Sequence, residues 1–418
     1  MENRIRFITF LFRKGIGLAL LALTTALASC APEIAAETEV PETVVSQAPE
    51  ASVVDFPSAR SIALAVTPNG KVYAALGSGQ SILIASSTDG GETFNEPVPT
   101  SADIAAHVLP VERPAIAVHG EDVVAAAWLE PASDYMSATV WYARSADGGM
   151  TFSQPVQVTV DEGHEIVMVQ TLFDEGGNPY LAWLKDGTLR FTYSEDAGET
   201  FVETQTIGDG ACECCQPSML LKNGQISIAY RSLEPQADGN DIRDIVVAAS
   251  TDSGRTFNPF TRVSDEHWYL NACPIAGPSL VSFSDTLYIA WMDGRRSEPN
   301  KPYNGSVWFS VSTDMGRSFS PNLKINPDAD AHQTMPSLAV DMNGRIHLAW
   351  ELHGTADQTI SYAVSDDGGT TFSAPLELVI ADQANGSVRM PSLIAASTGR
   401  ILLAWQDNRG AHIRAWSE

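Results

Sequence analysis

The octet Ser365-Asp366-Asp367-Gly368-Gly369-Thr370-Thr371-Phe372 is repeated along the chain, and this limits the available folds more than any other feature. Further copies run from Ser87 to Phe94, Ser145 to Phe152, Ser194 to Phe201, Ser250 to Phe257 and Ser312 to Phe319, each reading S-x-D-x-G-x-[TS]-F. Six copies at a spacing of roughly 50–60 residues define a repeat architecture. The chemistry is that of a tight turn. Ser and Asp side chains accept from backbone amides a few residues on, and Gly takes the positive φ of a sharp reversal. The closing Phe returns the chain to a buried surface.

A second pattern precedes each octet. A strand of small and apolar residues, often opened by Pro, leads through a short polar turn to a strand ending in Ala and an aromatic. The openings include Arg113-Pro114-Ala115-Ile116, Gln216-Pro217-Ser218-Met219, Gly277-Pro278-Ser279-Leu280, Met335-Pro336-Ser337-Leu338 and Met390-Pro391-Ser392-Leu393. Ser61 to Leu76 is a degenerate first copy, and Val169 to Trp183 is a copy without Pro. The second strands end at Ala127-Trp128, Ala182-Trp183, Ala229-Tyr230, Ala290-Trp291, Ala349-Trp350 and Ala404-Trp405. Alternating apolar residues, frequent Gly and Pro, and a charged fraction of 18% suit an all-β chain rich in turns. A large aromatic at one repeated strand position is expected to pack unit against unit.

The octet resembles the Asp box of the bacterial neuraminidase repeat, which in that family joins the third and fourth strands of a propeller blade. The resemblance runs from about Ser61 to the C-terminus and implies a β-propeller. Counting sets the blade number: there are seven two-strand openings but six octets. The seventh unit has one more strand, near His412 to Trp416, before the chain stops. A strand at Val53 to Phe56 would complete it and close the ring through the two termini, removing exposed sheet edges. The expected fold is therefore a seven-bladed propeller over residues 51–418, with a six-bladed sialidase ring as the alternative.

The N-terminus reads as an address. Arg4, Arg6, Arg13 and Lys14 precede the apolar run Gly15 to Leu27, and Leu27-Ala28-Ser29-Cys30 resembles a bacterial lipobox. Residues 1–29 are expected to be removed, Cys30 to carry lipid, and the stretch to Glu50 to be a flexible acidic tether. The protein would then be anchored in the cell envelope, facing the periplasm or the outside. The net charge is −26, and no basic block offers a surface for nucleic acid. An anionic ligand would need a local cluster of Arg.

Short turns such as Thr67 to Gly70, Lys222 to Gly224 and Asp341 to Gly344 lie on the same face as the octets. The opposite face carries long connections, Ile207 to Gln216, Arg231 to Asp244, Val263 to Gly277 and Asp293 to Ser306. Binding and catalysis concentrate on such loops, so the functional face is expected to lie away from the octets. Cys212, Cys214 and Cys215 sit there, and Cys273 holds a comparable position one blade on. Disulfides pinning the loops, a thiolate site for copper or zinc, and a redox-active dithiol all fit these residues. His332, His267 and His107 could complete a metal site.

The same mouth gathers Arg113, Glu130, Arg231, Asp293, Arg295, Glu351, Arg389, Asp407 and Arg409. Resemblance to sialidases implies three Arg clamping a carboxylate, a Tyr nucleophile assisted by Glu, and an acid/base Asp. The candidates are Arg231, Asp293, Arg295, Arg389, Asp407 and Arg409, with Tyr230 or Tyr269 as nucleophile. Sialidases open their first blade with Arg-Ile-Pro, whereas this chain reads Ala59-Arg60-Ser61-Ile62, and the closest match is Arg389-Met390-Pro391 in the last unit. Three functions are open on this reading: a sialidase-like propeller that binds a glycan or protein, an exo-α-sialidase, and a periplasmic metal protein. An ion pair that staples a loop is the structural alternative for each Asp-x-Arg.

Overall fold

The computed structural model describes residues 51–131, 138–159, 166–237, 241–264, 266–270, 273–295, 304–326, 331–354, 358–382 and 386–417. Cys30 and the proposed leader and tether lie outside them. The described residues form seven four-stranded antiparallel sheets and contain no helix. The sheets are the blades of a seven-bladed propeller. Their inner strands, in blade order, are Ser61–Val66, Ala115–His119, Ile166–Phe173, Ser218–Lys222, Ser279–Phe283, His332–Val340 and Arg389–Ala395. Each of the first six blades runs from inner to outer strand in sequence order.

The seventh blade is completed by the start of the domain. Ser52–Phe56 pairs antiparallel with Gly410–Ser417, placing Val53 opposite Arg414 and Phe56 opposite Ala411. His412 lies at the same seam, 2.7 Å from a carboxylate oxygen of Asp55 and 2.9 Å from one of Asp407. The ring thus closes through backbone hydrogen bonds between the two ends of the domain, with Ser52–Phe56 as the outer strand of the seventh blade.

All six octets fold alike. In each, the Ser hydroxyl donates to the Asp carboxylate two residues on, at 2.7–2.8 Å. The same hydroxyl accepts from the second Gly position at 2.7–2.9 Å. The Asp then accepts the amide of the Thr or Ser at position seven, at 2.8–3.0 Å. That residue's hydroxyl also donates to the Asp, at 2.5–2.7 Å. These donors hold Asp89, Asp147, Asp196, Asp252 and Asp314 down at about 2.

The octet also fastens each blade to the one before it. Phe201 meets Tyr142, Phe257 meets Phe191 and Phe372 meets Phe309, all edge-on at 5.0–5.4 Å. A Cβ on Gly198, Gly254 or Gly369 would come within 2.4 Å of those same rings, and each of these glycines also has a positive φ. Gly is required twice over, for the turn and for the approach.

The tryptophan ladder is core. Trp183, Trp291 and Trp350 are fully buried, each in a cluster with side chains of the preceding blade. The repeated Pro-Ser has a separate role, because its hydroxyl accepts the amide of the next inner strand. Ser218 takes Leu280, Ser279 takes Leu338 and Ser337 takes Leu393, at 2.9–3.1 Å. Neighbouring inner strands diverge and cannot share a full ladder, so this bond satisfies an amide that would otherwise lack a partner.

Candidate functional site

The octets and the short turns share one face. Gly148 N–H donates to the Asp122 carbonyl at 2.8 Å, and Arg345 pairs with Asp366. The channel mouth on the other side is built from the starts of the inner strands. A cavity of about 170 Å³ opens there, with Ala63, Arg113, Gln170, Gln216, Ser279, Met335 and Met390 contributed by the seven blades in turn.

Arg113 is the one charged residue among those that line this cavity. Its Nη2 donates to the Pro391 carbonyl at 2.6 Å, and its backbone exchanges hydrogen bonds with the Gln216 amide at 2.9 and 3.3 Å. Nε has no partner within the protein. Loss of hydration lowers its pKa to about 10, partly offset by Glu351. A buried cation with an unused donor beside a polar cavity favours a negatively charged or strongly accepting group nearby.

Backbone irregularities shape this mouth. Ile166–Phe173, His332–Val340 and Arg389–Ala395 each carry a bulge where they pair with the next strand. Met168, Met335 and Met390 sit at those bulges with φ of 51–60°. Carboxylates hold two of them: Glu112 accepts from Val169 N–H at 3.2 Å, and Glu351 accepts from Met390 N–H at 2.7 Å. Burial pushes Glu112 up to about 7, and its second oxygen has no partner. Neither Glu112 nor the bulged methionines could be found from the repeat, since a carboxylate before Arg-Pro and a Met before Pro carry no mark of this geometry.

Each predicted arginine has hydrogen-bond partners within the protein. Arg231 is fully buried, and its guanidinium donates to the carbonyls of Ala276, Arg243 and Met292 at 2.6–3.2 Å. Arg295 chelates Asp293 at 2.5–3.0 Å and stacks 4.2 Å from the Trp308 ring, while Trp291 Nε1 donates to the same carboxylate. Arg409 bonds Asp407 at 3.0 and 3.3 Å. Despite its burial, Asp407 is held below the usual carboxylate range by His412 and Arg409. Arg389 is exposed and donates to Ser387 Oγ at 3.2 Å. Glu130 accepts from Trp141 Nε1 at 2.7 Å. Tyr230 lies in the core, and burial lifts it to about 12, far from a poised nucleophile. Tyr269 is 51% exposed and bridges to Ile242.

The cysteines do converge. Cys214 and Cys273 form a disulfide that joins the approaches to the fourth and fifth blades. Cys212 and Cys215 are free and buried, with sulfurs 3.2 Å apart. Arg243 Nη1 donates to Cys212 Sγ at 2.9 Å. The Cys215 thiol, with Arg231 and Arg243, draws the Cys212 thiol down, while burial pushes Cys215 up. Cys212, Cys214 and Cys215 are the one group of three or more close metal-binding side chains among the described residues. His332 is not in that group. It accepts from Gly305 N–H at 2.9 Å, faces His353, and is pushed down to about 4 by burial and by that second ring. The long connection after Arg231 is more than a loop, since Glu234–Pro235 and Asp241–Ile242 pair as a small hairpin beside the cysteines.

This molecule is a seven-bladed β-propeller in which one Ser-Asp-Gly octet recurs six times. Residues 286–413 match the model of a BNR repeat-containing family member. No curated protein sequence matches the chain. Among solved structures it is similar to a polysaccharide lyase, a PL25 ulvan lyase bound to -[GlcA(1-4)Rha3S]-. That match has 12% identity and a TM-score of 0.57, covering 87% of this chain and 95% of the other. It is also similar to the Penicillium chrysogenum α-L-arabinanase complexed with arabinobiose, at 14% identity and a TM-score of 0.50, covering 88% and 99%. The NanB sialidase of Streptococcus pneumoniae matches at 12% identity and a TM-score of 0.47, covering 88% of this chain and 70% of the other. At these identities the likeness is one of fold.

Proposed function

We propose that this propeller is a lipid-anchored, extracytoplasmic binding module that takes an anionic group of its ligand at the channel mouth, on Arg113. The observation that carries this reading is the cavity to which all seven blades contribute, with a single charged side chain whose Nε is unused. A rigid ring supplies the cavity, and the low-dielectric wall strengthens a charge-assisted bond formed inside it. A hydrolytic reading has less support, because Arg231, Arg295 and Arg409 spend their guanidinium groups on carbonyls and on Asp293 and Asp407. A sialidase clamp needs those groups free for the substrate carboxylate.

The test uses the full chain in detergent against an array of acidic and neutral glycans, with uronic and sialic acids as the acidic probes. Retention of acidic glycans, lost in Arg113→Gln and partly kept in Arg113→Lys, is the expected result. Retention unchanged by Arg113→Gln would overturn the site, and release of a fluorogenic leaving group from a sialoside would replace binding with hydrolysis. The anchor is tested separately. Labelled palmitate should enter the wild-type chain in bacteria and not Cys30→Ala.

A further inference from the structure

We propose that reduction of Cys214–Cys273 opens a four-thiolate site for a thiophilic d¹⁰ cation, zinc or copper(I), formed by Cys212, Cys214, Cys215 and Cys273. This inference is independent of the Arg113 cavity. It starts from spacing. The sulfurs of Cys212, Cys214 and Cys215 lie 3.2, 3.5 and 3.9 Å from one another. Tetrahedral thiolate coordination with bonds of about 2.3 Å places sulfurs about 3.8 Å apart. Three donors are therefore already near the edge length of such a polyhedron before any ion enters.

The fourth donor is withheld by one bond. Cys273 Sγ is joined to Cys214 Sγ, and the two Cα atoms are 6.2 Å apart. Once the bond is broken, side-chain rotation at Cys273 can widen the sulfur separation with little backbone movement. Cys273 is exposed, whereas Cys212 and Cys215 are buried, so a reductant meets the bond from the Cys273 side. Two equivalents of a small thiol supply the two electrons. They leave as one disulfide, and Cys214 and Cys273 each gain a proton. Zinc(II) then displaces four thiol protons and forms four metal–sulfur bonds, whereas copper(I) displaces one proton for each of the two or three such bonds it forms.

Charge supplies the second argument. Four thiolates around a divalent ion carry a net charge of −2, which is costly to bury unpaired. Two buried guanidinium groups stand beside the cluster. Arg243 donates to Cys212 Sγ at 2.9 Å and to the Leu270 carbonyl at 2.8 Å, with Asp241 farther away at 3.5 Å. Arg231 is fully buried, and all four of its hydrogen bonds go to carbonyl oxygens. A buried cation with no carboxylate among its hydrogen-bond partners is itself an unbalanced charge, and the thiolate cluster balances it. N–H···S bonds of this kind orient and stabilise metal thiolates from outside the coordination shell.

The test is a metal titration of the full chain, purified without an affinity tag. The chain is reduced with a water-soluble phosphine and then moved to anaerobic buffer. The reduced protein should bind one equivalent of zinc(II) or copper(I), and the untreated disulfide form should bind at least 100-fold more weakly. Competition between the two ions identifies the preferred one, and either preference supports the site. Cobalt(II) serves as a readout that needs no variant: thiolate-to-metal absorption is expected, and a spectrum of oxygen ligands alone would overturn the proposal. Cys212→Ser and Cys215→Ser, checked for native near-ultraviolet circular dichroism, should each weaken binding at least tenfold. Failure of the reduced wild type to take up either ion stoichiometrically would also overturn it.

Discussion

The two rims of the propeller are built on opposite plans. On the octet rim one turn is made six times, with the same four hydrogen bonds and the same glycine against the preceding blade. On the mouth rim hardly anything is repeated. Arg113 reaches past the first blade to Pro391, Glu112 and Glu351 hold bulges in different blades, and cysteines gather beside the fourth and fifth. A feature required in every blade serves the fold, while a feature present in one or two blades is free to serve a ligand. The rim that identifies the fold is therefore the less informative one about function.

Replacing Arg231 should have the largest effect and bears on which plan that residue follows. Arg231→Met leaves the carbonyls of Ala276, Arg243 and Met292 without their donor, so stability should fall by about 2–4 kcal/mol in denaturant unfolding. Unchanged stability with altered ligand binding would return Arg231 to the role of a substrate clamp.

The next effect is a pH dependence at Glu112. Its pKa rises from 4.5 in the unfolded chain to about 7 in the fold. The stabilisation it gives is complete below the unfolded value and is lost as pH climbs through the folded one. Wild-type stability should therefore decline between about pH 4.5 and 7 by on the order of 3 kcal/mol from this group. Glu112→Gln should flatten that slope, as followed by urea midpoints across the range.

The octets come third. Their aspartates are depressed from 3.8 to about 2, so their stabilisation is present above 3.8 and is lost as pH falls through about 2. Acid unfolding should set in across that window. Asp147→Ala should cost about 1–2 kcal/mol at neutral pH, the scale of a lost turn cap, with ligand binding intact.

The ring was legible because its determinants are local and repeated. Seven strand pairs against six octets predicted both the blade number and closure by Val53 to Phe56, found as Ser52–Phe56. The mouth was legible only in part. Loop length pointed to the rim that carries the cavity and the disulfide, and the cysteines were picked out by residue type. The fates of Arg231 and Arg295 were not readable, because a guanidinium looks the same in sequence whether it meets a substrate, a carbonyl or a neighbouring Asp. The Glu112 carboxylate and the positive φ of Met168, Met335 and Met390 depend on packing between blades, which leaves no local pattern.

The central claim is that function resides on the mouth rim, and one paired measurement tests it: retention of acidic glycans by Arg113→Gln beside Asp147→Ala. Arg113→Gln should abolish retention with the fold intact, while Asp147→Ala should lose stability and keep retention. Retention that survives Arg113→Gln and disappears in a folded Asp147→Ala would place the ligand on the octet rim and contradict it.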